Sequence, residues 1–266
     1  MKSGLLHILA AAGLALAAAS CEEININDRY IEMDAVTPQR AVLLEEFTGQ
    51  ECTNCPEGHK IAASLREQYG AAVIPVSIHA SRLSYGEAEF PGFGLGIAEG
   101  ETYYKNAGSP NLPSGVVDRS SGAIGRDQWS EAVRNALKKP APVQLDVQAA
   151  YSDGGIFIDS RMLSSEDISC TLQIWLVESG LQRYQLDNGV VTENYVHNHV
   201  LRAVVNGVSG ENVSLTKNVY SYNKAMYKAH DDWKPENMAA VVFVYDGSGV
   251  LQAAEAEVQI MPEYPE

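Results

Sequence analysis

Residues 41–60, AVLLEEFTGQECTNCPEGHK, join an apolar run to a helical pattern through a short loop that carries Cys52 and Cys55. Val42, Leu43 and Leu44 read as a buried strand, Thr48 and Gly49 as the turn, and Ile61, Ala62 and Leu65 as the apolar side of the helix that follows. Both cysteines are expected in the first helical turn. Unpaired N–H groups and the helix dipole lower the pKa of a thiol placed there, and the thiolate is the reactive species. The spacing therefore points to redox chemistry, with Cys52 the more exposed, attacking thiol and Cys55 the resolver. The competing use of such a pair in an exported chain is a small static disulfide. Closing so short a loop stabilises little, which favours the reactive reading.

The pattern of the chain changes at Pro140. Before it, Val73 to His79 reads as a second strand, so that strand, helix and strand form a parallel β-α-β unit. Residues 80–100, rich in Gly, aromatic and acidic residues, read as an insertion over the sheet. A helix is expected around residues 97–106, a strand at Gly115, Val116 and Val117, and a last helix with Trp129, Val133, Ala136 and Leu137 on one face, capped by Asp127. Beyond Pro140 the apolar residues alternate. Val143, Leu145, Val147, Ala149 and Tyr151 face one way, Asp153-Gly154-Gly155 turns the chain, and Met238 to Tyr245 and Val250 to Ile260 form a further pair. Six to eight such strands predict an antiparallel all-β sandwich of immunoglobulin or fibronectin type over residues 140–266, separate from an α/β domain over residues 41–139.

Two resemblances sharpen this. Glu46-Phe47 ahead of Cys52, together with Leu112-Pro113 before a short apolar strand, resembles the buried acid and the cis-proline loop of thioredoxin-like proteins. That likeness implies a thioredoxin-like fold for residues 41–139, in which Glu46 handles the proton of the second cysteine and Pro113 shapes a substrate groove. The sequence departs from the usual pattern at Thr53-Asn54 and at Glu51, whose charge beside Cys52 opposes the helix dipole. More narrowly, EEFTGQECTNCPEGHK, NLPSGVVDR and NYVHNHVLRAVVNG are similar to segments of a family of Gram-negative anaerobe lipoproteins, the twenty-eight-kilodalton outer-membrane-protein-related family. That similarity implies fold and location rather than a reaction.

The start of the chain agrees with an exported lipoprotein. Residues 1–20 read as a secretory signal peptide, too short and too weakly flanked for a membrane span. Ala18-Ala19-Ser20-Cys21 resembles a lipobox, making Cys21 the expected site of lipidation and residues 21–40 a tether to the outer membrane, on its periplasmic face or at the cell surface. The net charge of −15 repels nucleic acid. The expected partners are exported proteins with thiols or disulfides, and the membrane through the N-terminal lipid. No dissociable cofactor and no metal is expected, because His59 and His79 alone stand near the cysteines and His197 and His199 lack a third ligand at a convincing spacing. Cys170, on the face Ile168, Cys170, Leu172, Ile174, reads as a core thiol. Two functions stay open: thiol–disulfide oxidoreductase, or an envelope binding or structural lipoprotein that keeps the fold without the activity.

Overall fold

The computed structural model describes residues 39–262. The expected signal peptide, Cys21 and nearly all of the expected tether lie outside the described residues. The described residues fall within one compact unit. It is mostly β, with three helices among the described residues. No helix among those residues is long and apolar enough to cross a membrane.

The strand β1 (Val42–Thr48) is buried along its whole length. It pairs in parallel with β2 (Val73–His79), from Val42 opposite Val73 to Thr48 opposite His79, and antiparallel with β3 (Ser114–Val117). Alternation along β1 divides its side chains between two layers. Val42 and Leu44 pack with Ala62 and Leu65 of α1 (Cys55–Tyr69) and with Trp129 and Val133 of α3 (Trp129–Ala136). Leu43 and Phe47 face the opposite layer, where α2 (Ala98–Asn106) contributes Tyr103. Each fully buried side chain of this size contributes on the order of 1.5–3 kcal/mol by its removal from water. Pro56 suits the first turn of α1, since its missing N–H would lack a helical partner there in any case. Asp127 does not cap α3. It lies in a short 3-10 turn, and Gln128 is the N-cap.

The boundary expected at residue 140 is crossed by strand pairing and by one of the cores. Of the strands beyond it, β7 (Ile168–Glu178) pairs with β10 (Val200–Val204) and with β13 (Met238–Asp246), and β10 lies parallel to β2 through Val200 and Ser77. One path of hydrogen-bonded strands thus runs from the β1–β2 region into the strands that follow Pro140. Ile74, Val76 and Ile78 share a cluster with Trp175, Val177, Leu201, Val241 and Phe243. The change of hydrophobic period is a change of strand pattern within one body, because β2 needs a neighbour that only the later segment supplies. The expected tether also ends one residue early: Arg40 is buried, ion-paired with Asp118 and bonded to the carbonyls of Val250 and Leu251.

The expected strand pair after Pro140 is β5 (Val143–Ser152) with β6 (Gly155–Ser164). Positive φ at Asp153 and Gly154 gives the two-residue turn that suits a twisted hairpin. The last strand, β14 (Gly249–Ile260), pairs antiparallel with β13 but parallel with β5, so the pairing is not wholly antiparallel. Cys170 is free and buried, and burial pushes its thiol up to about 11.

Candidate functional site

Cys52 and Cys55 form a disulfide at the N-terminal end of α1. Cys55 opens the helix, whereas Cys52 lies in the loop ahead of the N-cap Asn54. Cys52 is the more exposed of the two, as expected, but only 4% of its surface is accessible and Cys55 is fully buried.

Beneath α1 stands Glu46, buried to 1% exposure. Ser77 Oγ donates to its Oε2 at 3.3 Å, and burial pushes the carboxyl up to about 8, so it is protonated at neutral pH. Gly58 allows this approach: a side-chain carbon there would meet Glu46 Oε1 at 2.8 Å and Pro113 at 3.1 Å. Glu46, Pro113 and α1 therefore converge one turn beyond Cys55. The Leu112–Pro113 bond is cis. Pro113 and Asn54 border one cavity of about 490 Å³. The neighbouring Glu45 faces the other layer, where Arg119 holds it with two bonds, from Nε at 2.6 Å and Nη2 at 3.2 Å.

A second element closes the site from above. The hairpin β8 (Leu181–Asp187) and β9 (Val190–His197) turns at Asn188-Gly189, both with positive φ, and pairs with no strand of the main sheet. Gln185 Nε2 donates to the carbonyls of Gly49 at 3.2 Å and Cys52 at 3.1 Å. The Leu186 N–H reaches Gln50 O, the Asn188 N–H reaches Thr53 O, and the Gly189 N–H reaches Thr53 Oγ1 at 2.7 Å. Thr53, a departure from the usual dithiol spacer, is thus a docking point for the hairpin. Glu51 accepts a hydrogen bond from Tyr85.

The far end of the hairpin brings its own His197 to two further histidines. His59 bonds Thr48 Oγ1 through Nε2 at 2.8 Å and the Tyr195 hydroxyl through Nδ1 at 2.9 Å. The His197 ring stands 5.2 Å from that of His79 and 6.0 Å from that of His59. Burial holds all three neutral: His59 falls to about 3, His197 to about 4, and His79 well below its usual value. His59 Nε2 lies 3.9 Å from Glu46 Oε1, yet no ion pair forms at neutral pH because burial keeps the acid protonated and the imidazole uncharged. A pocket of about 440 Å³ bordered by Glu46, His59, Ser77, Tyr195 and His197 reaches this group from the side.

His197 and His199 do not act together. Strand β9 ends at His197, and His199, with φ of 49°, turns away to Glu255, itself paired with Arg66. Among the described residues no group of three or more His, Cys, Asp or Glu is placed to hold a metal ion. The sequence reading missed the hairpin, Gln185 and Tyr195. Its one local signal is Asn188-Gly189, the commonest two-residue hairpin turn.

The profile of the family described as Outer membrane protein Omp28 matches residues 100–260. This range holds Pro113 and the whole hairpin, and the dithiol and Glu46 lie before it. Among solved structures, HBP35 of Porphyromonas gingivalis is similar at 14% identity, with a TM-score of 0.68 over 86% of this chain and 79% of that one. A protein of Agrobacterium tumefaciens is similar at 13% identity, with a TM-score of 0.52 over 88% of this chain and all of that one. A domain of the outer membrane lipoprotein Omp28 from Porphyromonas gingivalis matches at 21% identity over 46% of this chain and 92% of its own, with a TM-score of 0.34. The search of curated proteins finds no match. The family match extends over more than half of the sequence, and the chain belongs to the Omp28 family of outer-membrane proteins.

Proposed function

We propose that the protein is a lipid-anchored thiol–disulfide exchange protein of the outer membrane, attached through Cys21. The observation that carries this reading is the convergence of a C-x-x-C pair at a helix N-terminus with a buried carboxyl pushed up to about 8. The order of strand, dithiol, helix, strand and cis-proline loop resembles the thioredoxin-like arrangement, and the later strands resemble an immunoglobulin-type layer joined to it. In the reduced protein the Cys52 thiolate attacks a disulfide of an exported substrate. One new S–S bond forms, and one substrate sulfur leaves as thiolate. Cys55 then gives its proton to the ionised fraction of Glu46, a minor one at neutral pH that grows as pH rises towards 8, and its sulfur displaces the second substrate sulfur from Cys52. Two electrons have passed to the substrate, and the protein holds the Cys52–Cys55 disulfide. Run in reverse, the same steps oxidise a substrate dithiol.

One observation favours a second reading, a static disulfide in a binding or structural lipoprotein. The hairpin bonds directly to the loop that holds Cys52 and leaves little of the sulfur accessible. The reduction potential separates the two. Exchange with a model disulfide and a potential in the range of exchange proteins, about −120 to −270 mV, support the enzyme. A potential below about −300 mV with no exchange supports the static bond.

A further inference from the structure

The largest described cavity plays no part in the dithiol chemistry. It encloses about 1080 Å³ between the insertion of residues 80–100, strand β10 and the loop that carries Trp233. Ordinary small-ligand pockets span about 300–1,000 Å³, so this one has room for more than a single small ring. We propose that this cavity binds a neutral oligosaccharide.

Three features select that class of ligand. The first is an aromatic stack. The buried Trp233 ring packs 5.6 Å from Tyr227 with 5° between their planes and 4.8 Å from His230 at 28°, with the Arg202 guanidinium over it at 5.4 Å. Tyr227 and His230, half-buried and exposed, are the members of the stack with surface left for the apolar face of a pyranose ring. The second is a set of polar atoms without a partner. Trp233 Nε1 and Ser84 Oγ are buried with no hydrogen bond among the described residues, and both residues border the cavity. Indole offers only a donor, and hydroxyl offers a donor and an acceptor. The third is the charge balance. Arg202, the buried guanidinium of the wall, is bonded to Glu87 and stands 3.4 Å from Glu178, so its charge is already matched. Glu89, Glu99 and Asp232 add carboxylates to the lining.

These features exclude the simpler ligands. An anion would meet carboxylates and find the only buried cation engaged. A purely cationic ligand would satisfy the carboxylates but leave the indole and hydroxyl donors without an acceptor, at the cost that unpaired buried groups carry. A polyol supplies acceptors to Trp233 and Ser84 and donors to the carboxylates, and its ring faces cover the aromatic wall.

The test titrates the full mature chain with neutral tri- and tetrasaccharides of glucose, mannose, xylose and N-acetylglucosamine to about 10 mM, with spermidine and citrate as the charged alternatives. Tryptophan fluorescence reports on Trp233, since Trp129 and Trp175 are fully buried in the other cores. Calorimetry gives the affinity. Saturable binding of at least one saccharide is expected, with little dependence on salt. Trp233→Phe keeps an aromatic ring and removes the N–H, and should weaken binding about tenfold by calorimetry. Asp232→Asn, at an exposed position, should weaken it by less. The proposal is overturned if no saccharide saturates, if spermidine binds instead with steep salt dependence, or if both variants bind as the parent does.

Discussion

The floor and the roof of the dithiol site are built in opposite ways. The floor, from β1 through the loop to α1, is continuous in sequence. Its side chains follow from alternation and helix phase, and Glu46 reaches the dithiol helix because Val42, Leu44 and Glu46 share one face of β1. The roof, β8 and β9, comes from more than a hundred residues later. Its contacts to Gly49, Cys52 and Thr53 span 133 to 136 positions. The floor belongs to the main sheet and the roof does not. A two-stranded ribbon is marginally stable alone, so the loop bonds, the His59–Tyr195 contact and the packing of Leu181 on Leu95 and of Tyr184 on Phe93 keep it closed. The site thus pairs a rigid chemical base with a cover that opens at a lower cost than the fold itself.

The largest expected effect comes from separating floor and roof. Cutting the chain at residue 140 removes β10 from β2 and exposes Ile74, Val76 and Ile78 on one fragment and Trp175 and Phe243 on the other. Neither fragment should unfold cooperatively in urea. A cooperative transition in the 140–266 fragment would show that the shared core is dispensable.

The next effect is on stability against pH, where the buried acid and the histidines around it have opposite signs. Glu46 has its folded pKa raised from 4.5 to about 8, so the folded state holds a proton that the unfolded chain releases. Its contribution is present below pH 4.5 and is lost as pH rises through 8. His59 and His197 have folded values near 3 and 4, below 6.5. Between those values and 6.5 the unfolded chain binds protons that the folded one refuses, so stability falls as pH drops below 6.5. Urea midpoints should therefore peak near pH 6.5. Glu46→Gln should flatten the alkaline limb by about 2 kcal/mol and steepen the acid limb between pH 4.5 and 6.5, where the acid's slope otherwise offsets that of the histidines. An alkaline limb that persists in Glu46→Gln would remove the acid from this account.

The hairpin itself should give a smaller effect. Gln185→Ala removes the amide that donates to Gly49 and Cys52 and leaves the Asn188-Gly189 turn intact. Dithiothreitol should reduce the disulfide about tenfold faster, as expected for the loss of one or two buried hydrogen bonds from the closed state. An unchanged rate would mean that the roof does not control access.

Most of the floor was legible in the sequence because its signals are local. The apolar run ends at an acid, the cysteines precede a helical period, and burial of Glu46 dictates an upward shift. Pro113 was placed beside the dithiol helix by its resemblance alone. The roof was legible only as a turn. Nothing near Gln185 in sequence tells that its amide meets Cys52, or that Tyr195 and His197 enter a cluster with His59 and His79. Strand pairing crosses the expected domain boundary because hydrophobic period reports the type of each strand and is silent on which strands pair.

The exchange reading meets its most direct test in trapping of partners by single-cysteine variants. Cys55→Ala leaves Cys52 able to attack and removes the group that resolves the mixed disulfide, so reductant-sensitive high-mass adducts with exported proteins should accumulate in envelope fractions. Cys52→Ala should accumulate few. Combining Cys55→Ala with Gln185→Ala should increase the adducts. If neither single variant nor the hairpin-loosened double variant traps a partner, the disulfide is a static bond beneath its hairpin, and the exchange function is contradicted.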